Sequence, residues 1–577
     1  MKYFIPVLLF LFLFNYQAIA QEDIDSQKYE LRSVWIATAT GIDYPNDIRP
    51  GEQDLRDMIK RIKDLGMNSV IFQVVARGDA HHQSERLPWA RRLTGTFGED
   101  PGYDPLAVVI EESRKLGLEV HAWYNLGRVG ETIDTVNTRD VEPAHIYHSN
   151  PEWVKVHEGD VLLNPGIPAA REWSVQNVME IVDNYDIDAI HFDFVRYFVP
   201  YDDDAETMAQ YNENNIANIN DWRRDNISQF MRDVYEAVND AKPHVKVGST
   251  PVGHYKASGG WAAGYGYSQY FSDSRRWLEE GVNDYLAPQL YWGGEDAPQF
   301  DWLAHDWMNE SYGRHIYVGH APYKGSVRSV LPEQIDTLRA VNAHGHVQFS
   351  YRDLSDDLFA DRYDNPALVP TMGWKGTFRP PVPVNLTQEV DGSEVRLNWE
   401  KPTYGTETDT LLRYAIYRVN APEAPDAGDV IADPRNLLAV EGVTHFTDTP
   451  ENSEDPYHYY VTSLNRNYVE SRTAEASVVT SVRDIDDQLA RSFRLEQNYP
   501  NPFNPTTEIQ FSMANEGMAA LTVYDMLGRE VAVLLNDRLS AGSHSVRFDA
   551  GNLPSGMYIY TLNSGGQTIS NKMMLLK

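Results

Sequence analysis

The 577-residue chain contains no cysteine. That absence excludes disulfides, thiolate metal sites, a cysteine nucleophile and a lipid-modified N-terminal cysteine together. Positive charge is also scarce: 50 Lys and Arg stand against 84 Asp and Glu, a formal net charge of −34. Such a chain has no basic surplus to displace counterions, so neither nucleic acid nor an anionic lipid surface is expected as a partner. Beyond the first twenty residues no run approaches 18 consecutive apolar residues, and no transmembrane segment is expected in the mature chain. No glycine-rich phosphate loop follows the first strand, and no cofactor is expected.

What is present begins with a leader. Lys2, an apolar run from Phe4 to Tyr16 and the small residues Ala18 and Ala20 predict a signal peptide over 1–20, hence an exported protein. From about Leu31 to Tyr351 short apolar strands alternate with amphipathic helical stretches. The strands are expected at 31–38, 69–76, 119–125, 189–195, 246–251, 285–291, 315–320 and 347–351. Leu55, Met58, Ile59, Ile62 and Leu65 recur at helical spacing before Gly66. Eight strands with intervening helices predict an α/β fold, a (β/α)8 TIM-type barrel over 29–375, with its site at the C-terminal strand ends. A doubly wound open sheet is the alternative. After Trp374 the composition shifts: Pro380-Pro381-Val382-Pro383 reads as a stiff linker, and short strands with turn-rich connections follow. Two small all-β sandwich domains are expected, over 380–483 and 493–577.

The segment Asp188-Ala-Ile-His-Phe-Asp-Phe-Val-Arg-Tyr197 is the most informative. Period-two alternation sends His191 and Asp193 to one face of a strand otherwise built for burial. Desolvating a carboxylate and an imidazole there is costly and points to a site. The same alternation makes Gln73, Val75 and Arg77 inward-facing on the second strand. On the third it selects His121, Trp123 and Asn125, on the sixth Gln289 and Tyr291, and on the eighth Gln348 and Ser350. Arg196 and Trp292 follow in the loops, and Trp89, Trp123 and Trp292 are candidate walls. Polar groups converging beside flat aromatic faces suit a polyhydroxylated ligand.

Phe72-Gln-Val-Val-Ala-Arg-Gly-Asp-Ala80, Leu87-Pro-Trp89, Asp100-Pro-Gly-Tyr-Asp-Pro-Leu106, Gly117-Leu-Glu-Val-His-Ala-Trp-Tyr-Asn125, the strand around Asp193 and Ala287-Pro-Gln-Leu-Tyr-Trp292 resemble the family-10-like glycosyl hydrolases of bacterial cell surfaces. The resemblance covers about residues 29–375. It implies a TIM-type barrel that cleaves glycosidic bonds, with a cell-wall (peptidoglycan) glycan or an extracellular polysaccharide as substrate. Many members carry two adjacent acids where this chain has Asp193 and Phe194. Glycosidases commonly use two carboxyls, one protonated and one ionised. Asp193 is the expected nucleophile or general base, and Asp79 the expected general acid, with Glu295 and Asp296 in reserve. Gln73, Arg77, His121, Trp123, Asn125, His191, Arg196, Gln289, Tyr291 and Trp292 are the expected substrate contacts. A metal-dependent hydrolase using His81, His82, His121, His191 and Asp193 is a rival, although the histidine spacing is not that of a standard ligand set, and no metal site is expected. A non-catalytic glycan-binding surface protein is another.

Trp399 in Val-Arg-Leu-Asn-Trp and the segment from Tyr457 resemble a fibronectin type III domain over 380–483. Asn498-Tyr-Pro-Asn-Pro-Phe-Asn-Pro505, Val523-Tyr-Asp-Met-Leu-Gly-Arg529 and Lys572-Met-Met-Leu-Leu-Lys577 resemble the C-terminal sorting domain of the type IX secretion system over 493–577. That resemblance implies the type IX machinery as a partner, and a secreted or outer-membrane surface-attached product.

Overall fold

A computed structural model describes residues 27–576, apart from 40–41, 45–49, 132–139, 199–200, 202, 257–264, 295, 297, 360–361, 403–412, 453–454, 476, 479–492, 514 and 541. The leader expected over 1–20 and the reserve acid Glu295 therefore lie outside the described residues.

Eight parallel strands close a barrel: β1 (Leu31–Ile36), β2 (Ser69–Val75), β3 (Glu119–Asn125), β4 (Ala189–Asp193), β5 (Lys246–Ser249), β6 (Tyr285–Leu286), β7 (His315–His320) and β8 (Gly345–Gln348). β1 pairs with both β2 and β8, so the sheet has no edge and the open doubly wound alternative falls away. Helices lie between most strands, as the periodicity predicts. Glu52–Asp64 buries Leu55, Met58, Ile59 and Ile62, and Gly66 follows at φ +78°. Pro105–Lys115 starts where the Asp104 side chain accepts from the Ala107 N–H, with proline at its first position.

The two faces of each strand separate cleanly. Val34, Ile36, Val70, Phe72, Ile190, Phe192 and Val247 join the layer of helices. Leu31, Trp35, Ile71, Trp123, Tyr285, Tyr317 and Val347 fill the interior. Gly248 is obligatory in β5, because a Cβ there would lie 2.0 Å from the Tyr285 ring. After β3 the chain detours through a three-stranded antiparallel sheet (Arg128–Glu131, Val154–His157, Asp160–Leu163) with its own small core. This sheet rises beside the C-terminal ends of β2 to β4.

Residues from Val384 to Val478 form two four-stranded sheets. Thr506–Met513 and the strands after it build a second sandwich around Leu521, Tyr560 and Phe548. The first sandwich does not stand apart from the barrel on the proline-rich segment. It packs against the N-terminal end of the barrel: the outer face of one sheet, with Ala415, Tyr417, Leu464 and Tyr468, joins the barrel interior, while Leu397, Trp399 and Ile416 form a core of its own. Arg413 enters the barrel base, donating to Asp188 Oδ2 at 2.9 Å and to the Leu118 carbonyl at 3.1 Å. Both partners of this ion pair are 2 % exposed. Burial pushes the Asp188 carboxyl up, but Arg413, Arg114 and Arg466 outweigh it and hold the group well below the carboxylate range. The backbones touch as well: a Cβ on Gly442 would sit 1.5 Å from the Arg114 carbonyl oxygen.

Removing one partner of a buried pair strands the other charge. Arg413→Ala is expected to destabilise the protein by about 3–5 kcal/mol in urea unfolding. Adding Asp188→Asn is expected to recover part of that loss; no recovery would mean that Arg413 acts through packing alone.

Candidate active site at the barrel mouth

Asp193 closes β4 at the C-terminal mouth and is 6 % exposed. Directly across the ladder stands Asn125 of β3. Asp193 Oδ1 accepts from the Phe194 N–H at 2.6 Å, and Phe194 turns the chain with φ +56°. Burial pushes the Asp193 carboxyl up to about 6, against the opposing pull of Arg196 and the Phe194 N–H. The Arg196 guanidinium is held over the Phe194 ring at 4.5 Å and the Tyr270 ring at 4.9 Å.

Beneath Asp193 runs a line of buried hydrogen bonds whose direction is fixed by chemistry. Trp35 Nε1 can only donate, so it donates to His191 Nε2 at 3.1 Å. His191 is held well below its usual pKa by burial and is neutral, so its Nδ1–H donates to the Tyr285 hydroxyl at 3.0 Å. The hydroxyl passes its own proton to His121 Nδ1 at 2.8 Å. His121 Nε2–H then meets Glu119 Oε2 at 3.0 Å, and the Lys246 ammonium holds Glu119 Oε1 from the other side. His121 and His191, expected as substrate contacts, are both fully buried here as floor and scaffold.

The other expected residues divide. Asn125 stays at the mouth, oriented by Trp123 Nε1 at 2.7 Å and by its own bond to the Ala76 carbonyl at 3.0 Å. Trp123 is buried and offers no open platform. Gln73 faces inward, but its Oε1 receives the Thr38 and Ala39 N–H groups at 3.0 and 2.9 Å and shapes the β1 loop. A register shift after Gln73 turns Val75 into the helical layer, away from the face on which alternation put it. Asp79 lies in the turn after β2, 9 % exposed, its Oδ1 accepting from the Arg77 N–H at 2.9 Å. Arg77 is half-buried, and its carbonyl accepts from His145. Gln289 and Tyr291 lie on the inner side of the continued β6 backbone, and the charge of Asp193 adds to the burial that raises the Tyr291 phenol. Trp292 turns the other way, packs with the helical layer and would abut any Cβ on Gly253. Asp296 is exposed and closes its own turn onto the Gly293 N–H.

Strand eight is also out of phase with expectation. Gln348 points outward to His346, and Ser350 donates to Asp43 Oδ1 at 2.7 Å. Asp43, unmarked by any regular pattern, also accepts from the Ala37 and Arg352 N–H groups and ties the β1 loop to the β8 loop. Burial pushes its carboxyl up to about 6. Tyr285 and Trp35 were legible from the same period-two alternation that selects Tyr291. Of the metal rival's histidines, His81 and His82 are buried against Tyr44 and Tyr185, apart from the line beneath Asp193. Among the described residues no three His, Asp or Glu side chains converge to hold a metal ion.

The folded Asp193 pKa of about 6 lies above its ordinary 3.8, so the stability tied to its proton is full below about 3.8 and lost as pH rises through 6. Asp193→Asn keeps an acceptor for the Phe194 N–H and removes the charge. It is expected to stabilise the protein by about 2–3 kcal/mol at pH 7.5, a gain that shrinks toward zero near pH 4 in urea titrations.

Residues 30–334 match the family described as Glycosyl hydrolase-like 10, and residues 497–576 match the Secretion system C-terminal sorting domain. The chain is 34 % identical to Glycosyl hydrolase YngK of Bacillus subtilis (strain 168), across 77 % of this chain and 92 % of that protein. It is 33 % identical to Glycosyl hydrolase DigH of Escherichia coli (strain K12), across 52 % and 76 % respectively. Alpha-L-fucosidase isoenzyme 2 from Paenibacillus thiaminolyticus superposes with a TM-score of 0.41 at 13 % identity, covering 94 % of this chain and 99 % of its own. The chain thus belongs to the glycosyl hydrolase-like 10 family: it is a barrel glycoside hydrolase carrying a C-terminal sorting domain for secretion and cell-surface attachment.

Proposed function

We propose that the barrel mouth hydrolyses O-glycosidic bonds of a bacterial cell-wall glycan or an extracellular polysaccharide, with Asp193 as nucleophile or general base and Asp79 as general acid. The observation that carries this reading is Asp193 itself: an inward carboxyl at a strand end, buried, with a protonation equilibrium near 6. Neutral His191 beneath it supplies no positive charge, so burial outweighs the attraction of Arg196. Asn125 stands across the ladder from Asp193 and, with Gln289 and Tyr291 on the inner side of the continued β6, would orient sugar hydroxyls. Asp79 has its Oδ1 engaged by the Arg77 N–H, and in this reading its Oδ2 would carry the proton for the glycosidic oxygen.

Reducing-end release from purified peptidoglycan strands and from a polysaccharide panel tests this. Asp193→Asn and Asp79→Asn are each expected to lower kcat by about 10²–10⁴-fold. Full turnover by Asp193→Asn would remove Asp193 from the chemistry. Glycan binding without cleavage by the wild type would instead favour a passive surface role. As a base or nucleophile Asp193 must be ionised, so kcat/KM is expected to rise with pH through about 6. A limb falling through that pH would make Asp193 the acid.

A further inference from the structure

We propose that Tyr323, with Tyr291 and Phe349, forms a stacking subsite for a sugar ring beyond the cleavage point, so that the enzyme selects glycan chains over short glycosides. This deepens the glycan reading of the mouth and rests on it. Tyr323 follows β7, Tyr291 the continued β6 and Phe349 follows β8, so three neighbouring strand ends contribute. The rings form one continuous wall. Phe349 meets the floor residue Trp35 at 6.2 Å, and Tyr291 stacks on Phe349 with centroids 6.2 Å apart and planes at 30°. Tyr323 stands edge-on to both, 6.2 Å from Phe349 and 6.5 Å from Tyr291. The inner end of the wall rests on Trp35, which donates to His191 of the strand that Asp193 closes, so the wall starts in the same mouth as the cleavage site.

The outer end is open. Tyr323 is 48 % exposed although its ring is braced by two aromatic neighbours. Lys324 steadies the wall, donating to the Tyr291 carbonyl at 3.1 Å with its ammonium 5.9 Å from both tyrosine rings. A half-exposed phenol ring held rigid at the rim of a hydrolase mouth loses little conformational freedom on binding. Its face suits the apolar C–H face of a pyranose, and its hydroxyl stays in water. The wall leads outward from Asp193, so its occupant is a sugar unit of the same chain.

The test compares wild type, Tyr323→Ala and Tyr323→Phe on long glycan chains and on a small aryl glycoside that occupies only the site beside Asp193. Tyr323→Ala is expected to raise KM on the long chains about tenfold with little change in kcat, while aryl glycoside kinetics stay at the wild-type level. Tyr323→Phe keeps the ring face and is expected to restore the wild-type KM. Tyr323 is on the surface, and equal melting temperatures of the three proteins verify folding. Unchanged KM on long chains in Tyr323→Ala would overturn the subsite while leaving the hydrolase intact. A wild type that neither binds nor cleaves any glycan on the panel would overturn the glycan reading and the subsite together.

Discussion

Six polar side chains inside the barrel satisfy one another in one network: donation runs from Trp35 through His191, Tyr285 and His121 to Glu119, whose second oxygen accepts from Lys246. An unpaired polar group at such depth costs about 1–3 kcal/mol, so the line is a condition for packing polar residues there at all. Its direction matters as much as its existence. Trp35 can only donate, which makes His191 Nε2 an acceptor and keeps the ring neutral. A cation directly beneath Asp193 would pull its carboxyl down. With a neutral floor, burial dominates and the group titrates near 6.

The line ends where the first β-sandwich seals the barrel. The Lys246 ammonium lies 5.9 Å from the Tyr468 ring of that module, and Arg413 neutralises Asp188 just ahead of β4. A barrel base carrying Glu119 and Asp188 needs cations and shelter from water; the sandwich brings both. One face of the sandwich therefore completes the apolar interior of the barrel. The glycines at their seam, Gly117 and Gly442, admit a backbone approach that no side chain could survive. The sorting domain folds around its own apolar cluster.

Much of this was legible beforehand. Eight apolar segments separated by helical periodicity describe a closed barrel, and each expected strand appears within a few residues of its place. Asp193, Asn125 and Tyr291 were selected by alternation and do stand at the mouth. His121 and His191 share that inward face one layer deeper, where neighbours use both ring nitrogens. Gln348 and Val75 failed for other reasons. The bulge after Gln73 re-phases the alternation at Val75, whereas β8 is regular and turns Val347 rather than Gln348 inward. Asp43 escaped notice because it lies in a loop with no period to read.

By itself the sequence determined the chemistry available: no thiols, a strongly acidic composition, a carboxylate in an apolar strand, and the C-terminal sorting motifs. Periodicity is a local property, so it also determined which elements form and, outside bulges, which residues of a strand share a face. Depth along the barrel axis is not local. Whether an inward side chain reaches the mouth or is spent in the floor depends on partners from distant strands, such as Tyr285 between His121 and His191. Tertiary structure alone decided that, along with the wall from Trp35 to Tyr323 and the place of Arg413 beneath the barrel. Hydrogen-bonding capacity and solvent access are settled by what packs around a group, and only the closed fold brings those neighbours together.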